Sequence, residues 1–474
     1  MNIKIGNKIQ AKHGILIGTV LSCFLVFSNI WATEFIVPTA DPNHQETIVL
    51  DPNPSTSIQQ RNSADISSLT LYANDSLVMD AESGNVLVEK NGYNKVYPAS
   101  TTKILTAILA LEHLDLNKSV VVSKNAVYST PAGSSIIALQ PGEVMTVKNL
   151  IYGLLIHSGN DAANVLAEEV SGSTEAFIEL MNQTLKEIGC DDTHFTNAHG
   201  FHDPDHYTTP YDMAKLMRYA MQNDTFREIV ETKKYTIPAT NKSEERIYPN
   251  TNKMLNENYT KMYYPYTLGG KTGYTEEARG TYVGYAKKDD KLVIVSVFDG
   301  SQNIARNEAR FLDAITLCNY TFDHFEKQKV ADKNNLTFQI LDKETRKIYT
   351  VGLSQDEYAL LPDDASTYAR TYQLDLDFNA LHRDDKTTDS KVGTITIEFS
   401  GKDIQAKNTY ALNYIEEQDY FSLWYYRVPI VIAIILILIL LVLWLLKKLY
   451  QKPKKPAKLQ RKPTGYLPRS AYRK

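Results

Sequence analysis

Cysteine is scarce: the 474 residues hold three, Cys23, Cys190 and Cys318. A chain of this length buries a large core without covalent staples. Cys190 and Cys318 are therefore expected as separate buried thiols, although sequence does not carry the Cα separation that decides pairing. The H-E-x-x-H signature of zinc hydrolases is missing too. His199, His202, Asp203, Asp205 and His206 do bring together groups that zinc accepts, but Gly200 and Pro204 break the run into a loop without that helical spacing. No metal and no cofactor is expected. Acidic residues are absent from residue 428 onward, where eleven basic ones follow residue 446. Setting those eleven and Lys4, Lys8 and Lys12 aside moves the formal net charge from −4 to −18. So acidic a body disfavours nucleic acid as a partner.

Two apolar runs set the topology. Lys4, Lys8 and Lys12 precede an apolar stretch from Ile15 to Phe27, and Ile30-Trp31-Ala32 ends in a small residue, so residues 1–32 read as a signal peptide. Cys23 is taken as an apolar residue of that signal rather than a lipid-attachment site. Near the other end, 428–446 is uncharged and long enough to span a bilayer. Trp424, Tyr425 and Tyr426 precede it as an interfacial belt, within a juxtamembrane segment 416–427. The basic tail 447–474 then belongs in the cytoplasm by the positive-inside rule, with anionic lipid as its nearest partner. The expected arrangement is a single-pass protein of the cell membrane with its main body extracellular.

Between these runs the composition changes twice. Residues 33–67 are rich in Pro, Asp, Asn, Ser and Thr and read as a flexible lead. Residues 68–325 mix a helical centre with strands before and after it, the pattern of an α/β domain whose sheet is covered by helices. From 326 to 415 short alternating runs such as Leu336-Thr337-Phe338-Gln339-Ile340-Leu341 and Val392–Phe399 are separated by Asp, Gly and Lys turns, as in a small all-β domain.

Within the α/β part, three short words are spaced along the chain. Ser100-Thr101-Thr102-Lys103 follows Pro98 and opens a run of helix formers with an apolar majority. Residues three apart share a helix face, so the Lys103 amine can reach the Ser100 hydroxyl and act as the base a serine nucleophile needs. The apolar residues after Lys103 argue for burial, which lowers a lysine's pKa toward the range of a base. The helix start also offers unpaired N–H groups beside Ser100, half of an oxyanion hole. Ser158-Gly159-Asn160 lies between an apolar stretch and the next helical pattern, where Ser158 can relay a proton and Asn160 can hold Lys103 and a substrate carbonyl. Lys271-Thr272-Gly273 follows Gly269-Gly270 and precedes strand-like runs. Its glycine lets an extended ligand lie against the strand. Lys271 and Thr272 suit a terminal carboxylate, and the N–H of Tyr274 would complete the oxyanion hole. Taken singly, each word is ordinary: a solvated Ser–Lys pair, a turn, a strand start. Together they supply one acyl-transfer site.

In these words, and in Val78–Leu87, Asn197–Asp203 and Tyr207–Ala214, the chain resembles the serine-type D-alanyl-D-alanine carboxypeptidases, the low-molecular-mass penicillin-binding proteins, over roughly residues 68 to 415. The resemblance implies a transpeptidase/β-lactamase-like α/β catalytic domain with a helical subdomain, a small all-β domain behind it, and a C-terminal transmembrane helix. It implies that Ser100 attacks the bond between two terminal D-alanines of a peptidoglycan stem peptide, releases D-alanine and leaves an acyl-enzyme that water hydrolyses. β-Lactam antibiotics would acylate the same serine. It assigns Ser100, Lys103, Ser158 and Asn160 to catalysis and Lys271, Thr272, Gly273 and Tyr274 to substrate binding. Some relatives carry histidine where Tyr274 stands, which touches side-chain contacts and not the backbone N–H. An arginine near the end of the domain often holds the substrate carboxylate in the family. Arg310 fits that place, with Arg306 as the alternative, and a helix-surface arginine is the competing reading.

A serine β-lactamase shares the three motifs, but no Glu-x-x-Leu-Asn run follows Ser158. A catalytically silent penicillin-binding sensor or scaffold is the other alternative, against which every motif residue is present.

Overall fold

The computed structural model describes residues 35–36, 47–50, 64, 66–300, 308–342, 345–362, 369–400 and 405–450. The expected signal peptide, Cys23, Arg306 and the tail past residue 450 lie outside the described residues. The central sheet has five antiparallel strands in the order Val86–Lys90, Ala73–Asp80, Lys291–Gly300, Arg279–Lys288 and Thr267–Thr275. Its two middle strands alternate with period 2 between two cores. Leu77, Met79, Ile294 and Phe298 face the helices, whereas Val78, Val293, Val295 and Val297 face the opposite side.

The first side is closed by the helices Lys103–His113, Val147–Ile156, Asn160–Ser171 and Pro210–Ala220. Ile104, Leu105, Ile108 and Leu109 are almost wholly buried, which is why the apolar run after Lys103 has no polar face. The second side is closed by the helix Ala309–His324, whose Phe311, Ala314, Leu317 and Cys318 join a core that continues into Leu374, Ile395 and Ile397 of the β unit. Cys190 and Cys318 are both free and buried.

The β unit holds a seven-stranded sheet in the order Phe35–Ile36, Thr337–Asp342, Lys347–Gly352, Gln405–Asp419, Lys391–Ser400, Ala369–Leu376 and Thr47–Leu50, and a two-stranded one of Glu326–Ala331 and Glu357–Leu361. The segment expected as a flexible lead thus supplies both outer strands. Phe35–Ile36 pairs with Thr337–Asp342 and Thr47–Leu50 with Ala369–Leu376. An edge strand offers a row of free N–H and C=O groups, and the β-branched Thr-Ile-Val run suits it. The expected juxtamembrane segment is divided differently as well: the strand runs to Asp419 and passes directly into the helix Tyr420–Tyr450. Within that helix Val428–Lys448 is long and apolar enough to cross a membrane.

The two units are joined at the turn after Asp80. Its carboxylate accepts the Leu360 N–H at 3.2 Å. Asn85 donates to Asn408 Oδ1 at 2.7 Å and accepts the Lys407 N–H at 3.2 Å. Replacing Asn85 by alanine strands both partners, and is expected to cost about 1–3 kcal/mol. The check is a lower urea midpoint than the parent's; an unchanged midpoint would show that the junction contributes nothing.

Candidate active site

Pro98 caps a short 3-10 turn, Ala99–Thr102, and the α-helix proper begins at Lys103. Ala99 adopts φ 48°, a left-handed conformation that a non-glycine residue holds only when its surroundings force it. The surroundings are visible. Gly200, at φ 82°, packs so closely that an added Cβ would lie 1.8 Å from the Ala99 carbonyl oxygen. Thr102 Oγ1 donates to that carbonyl at 2.9 Å, and Thr281 Oγ1 donates to Pro98 O at 3.1 Å. The Thr196 N–H donates to His206 Nδ1 at 3.0 Å, so the ring proton belongs on Nε2, 2.8 Å from Thr102 Oγ1. Burial holds His206 near pKa 3 and therefore neutral.

This explains the histidine-rich run. His206 buttresses the serine turn, His199 accepts the Phe201 N–H on Nδ1, His202 packs edge-on against Tyr97, and Asp203 caps the Asp205 N–H. Among the described residues no group of three or more His, Cys, Asp or Glu side chains is arranged to hold a metal.

Lys103 is completely buried. Its Nζ lies 2.8 Å from Ser100 Oγ and donates to the His199 carbonyl at 2.6 Å. Burial first, and the neighbouring Lys271 second, hold its pKa well below the ordinary lysine value against the opposing pull of Asp161. A neutral amine within hydrogen-bond reach of a serine hydroxyl is a competent base.

The second motif sits at the mouth of the helix Asn160–Ser171. Ser158 has φ 70°, which turns the chain between two helices. The Asn160 N–H donates to Ser135 O at 2.8 Å, while its buried side-chain Oδ1 has no hydrogen-bond partner among the described residues. Asp161, next in sequence, accepts the Ile137 and Leu139 N–H groups at 3.0 Å each, fixing the 135–139 backbone beside the motif.

The third motif lies on Thr267–Thr275, the outer strand of the sheet. Gly273 is obligatory there, since an added Cβ would stand 2.8 Å from the Ser100 nitrogen and 2.3 Å from Thr281 Oγ1. Lys271, also fully buried, donates to Ser158 Oγ at 3.1 Å and to Thr272 O at 2.7 Å. Burial, then Arg310, brings its pKa down to about 7. Thr272 Oγ1 meets Thr251 Oγ1 at 2.8 Å. Tyr274 directs its ring outward, with its hydroxyl 3.4 Å from Glu276. Arg310 is not a surface residue: it is buried, and its guanidinium donates to the Gly273 and Thr281 carbonyls from behind the strand.

The structure therefore brings Ser100, Lys103, Ser158, Asn160, Lys271, Thr272 and Gly273 around one cleft. Sequence reasoning did not single out the His199 carbonyl, Asp161, Thr251 or Thr281 as parts of it. Asp161 had a signal, an acidic residue directly after Ser-Gly-Asn in an apolar context. The others act through a backbone carbonyl or a hydroxyl that no spacing distinguishes.

A family profile described as D-alanyl-D-alanine carboxypeptidase matches residues 59–302. The chain is similar to the D-alanyl-D-alanine carboxypeptidase DacF of Bacillus subtilis, 32% identical over 286 residues that cover 59% of this chain and 70% of the relative. Among solved structures it is similar to a mutant of the Streptomyces K15 DD-transpeptidase, at 32% identity and TM-score 0.50, over 54% of this chain and 99% of the other. Penicillin binding protein 5 from Haemophilus influenzae, at 23% identity, shares the fold with TM-score 0.58 over 74% of this chain and 99% of its own.

The buried lysines give stability a pH dependence. Unfolded, Lys271 titrates near its ordinary 10.5; folded, near 7. Between those values the unfolded chain holds the extra proton, so stability rises with pH across the window and levels off below it. The parent is expected to gain on Lys271→Met by about 1.4 kcal/mol per pH unit between roughly pH 7 and 9. Urea titrations of both proteins give the difference, and parallel curves would mean that Lys271 is not desolvated.

Proposed function

The chain belongs to the D-alanyl-D-alanine carboxypeptidase family, and from that premise we propose how its residues share the work of a serine-type D-Ala-D-Ala carboxypeptidase acting on cell-wall peptides. The observation that carries the assignment is the pair of serine–lysine contacts, Ser100 with Lys103 at 2.8 Å and Ser158 with Lys271 at 3.1 Å, with Gly273 against the Ser100 backbone.

The stem peptide adds to the open edge of Thr267–Thr275, with its terminal carboxylate toward Lys271 and Thr272. Ser100 Oγ attacks the carbonyl between the two D-alanines as its proton passes to Lys103. The Ser100 and Tyr274 N–H groups stabilise the oxyanion, and Asn160 holds the acyl side. Collapse of the tetrahedral intermediate breaks the C–N bond. Ser158, hydrogen bonded to Lys271, relays that proton from Lys103 to the leaving nitrogen, so the Lys103 amine is free again. Water, deprotonated by Lys103, then hydrolyses the ester and frees Ser100. A β-lactam presents the same carbonyl and carboxylate and acylates the same oxygen. Arg310 acts through the Gly273 carbonyl, holding the strand in register with the nucleophile.

The apolar helix Val428–Lys448 anchors the chain in the membrane. The catalytic unit lies outside and the basic tail in the cytoplasm. The all-β unit stands between, holding the cleft away from the lipid surface.

The test is D-alanine release from diacetyl-Lys-D-Ala-D-Ala. The parent is expected to release it. Ser100→Ala is expected to lose about four orders of magnitude or more in kcat and to lose covalent labelling by penicillin. Release undiminished in Ser100→Ala would overturn the assignment.

A further inference from the structure

The outer strand Thr267–Thr275 is open for only part of its length. Ser100 stands at Gly273, so the acyl half of a substrate lies toward Tyr274 and the departing half toward Thr272 and Lys271. Immediately before Lys271 the strand is closed. At Gly269 an added Cβ would stand 2.7 Å from the Val230 carbonyl oxygen of the helix Asp224–Glu231. Gly269 and Gly270 have φ of 132° and 152°, so the strand enters this covered stretch in a conformation that side chains disfavour.

A second closure meets the first. Thr251, bonded to Thr272, gives its N–H to the Ile156 carbonyl at 3.1 Å, which brings the end of the helix Val147–Ile156 beside the carboxylate end of the cleft. The next residue, His157, packs against Tyr248 with ring centroids 4.2 Å apart and the planes tilted by 33°. Tyr248 is held in turn, because its hydroxyl donates to Ile137 O at 3.0 Å. That carbonyl also receives Arg246, which pairs with the fully buried Glu143, while the Ile137 N–H is taken by Asp161. A ring pair braced by a clamped backbone is a wall, not a mobile side chain.

We infer that the His157–Tyr248 pair, together with the covered Gly269–Gly270 stretch, ends the substrate groove just beyond Lys271, so that the cleft takes a peptide whose last residue ends there in a free carboxylate and rejects one that continues. The inference rests on the carboxypeptidase reading and adds to it the residues that separate cleavage at a chain end from cleavage within a chain. In either cleavage Ser100 forms the ester, the amide C–N bond breaks, and water supplies the hydrogen and hydroxyl that leave on amine and acid.

The experiment compares diacetyl-Lys-D-Ala-D-Ala with the same peptide extended by glycine, using the detergent-solubilised full chain, and reads the ratio of kcat/KM, extended over terminal. In Tyr248→Ala and His157→Ala the ratio is expected to rise about tenfold or more over the parent; Tyr248→Phe, which keeps the ring and loses its brace to Ile137 O, is expected to raise it less than Tyr248→Ala does. His157→Ala removes only the ring packed against Tyr248, so it carries the test if Tyr248→Ala does not fold. An unchanged ratio in alanine variants that penicillin still labels would overturn the wall. A parent that releases nothing from either peptide would overturn the carboxypeptidase reading instead.

Discussion

Two lysines with no exposed surface share one cleft, and the rest of the site follows from the cost of keeping them there. An isolated buried ammonium is far less stable than one in water, and Lys103 and Lys271 also repel each other when both are charged. The fold answers with hydrogen-bond acceptors and almost no countercharge. Lys103 is given the His199 carbonyl and Ser100 Oγ, and Lys271 the Thr272 carbonyl and Ser158 Oγ. The acceptors suffice for neutral amines and fall short for two full charges. The same poverty of anions that lets burial lower the Lys103 pKa leaves the cleft deficient in negative charge, which suits an anionic ligand.

Such a site must be built by backbone, because the acceptors are carbonyls and short hydroxyls with little reach. Hence the close approaches. Gly200 against Ala99 and Gly273 against the Ser100 nitrogen bring three separated segments within contact, and each is a place where one methyl group would push the serine away from its base. The left-handed Ala99 and Ser158 are the strained counterparts, held by Thr102, Thr281 and the Ser158–Lys271 bond. Strain of about 1–3 kcal/mol per residue persists only where neighbours over-determine the chain, and here they do.

Sequence disclosed the chemistry more readily than the scaffold. Ser100 with Lys103, and Ser158 with Asn160, could be grouped from sequence because their spacing is local, three residues along a turn and two across a bend, whereas Lys271 meets them only through the fold. The near-continuous apolar run in Lys291–Val297 likewise shows a strand with two buried faces. What could not be read depends on contacts between distant segments. Nothing near Arg310 in the chain says that its guanidinium ends under Gly273, since that contact spans the sheet from one element to another. The Pro- and Asn-rich lead looked unstructured because two short strands give too little periodic signal. They are specified by the open edges they cover, and those edges lie some three hundred residues away.

The helix Ala309–His324 shows how the β-sheet and the cleft are made one object. Its Arg310 holds the Gly273 and Thr281 carbonyls of the outer two strands. One turn later Asp313 accepts the N–H groups of Tyr72 and Ala73, at 3.1 and 2.6 Å, where the second strand from the other edge begins. A cation binding carbonyls and an anion binding N–H groups, three residues apart on a buried face, are each satisfied by backbone rather than by each other. The helix thereby fixes strands on both sides of Lys291–Gly300, so the sheet cannot change its twist without breaking a charge-assisted bond. Its opposite turns share a core with the β unit, through Leu317, Cys318 and Phe322. One helix thus holds the outer strand, the central sheet and the β unit, reaching from the Gly273 carbonyl beside Ser100 to the core of the β unit.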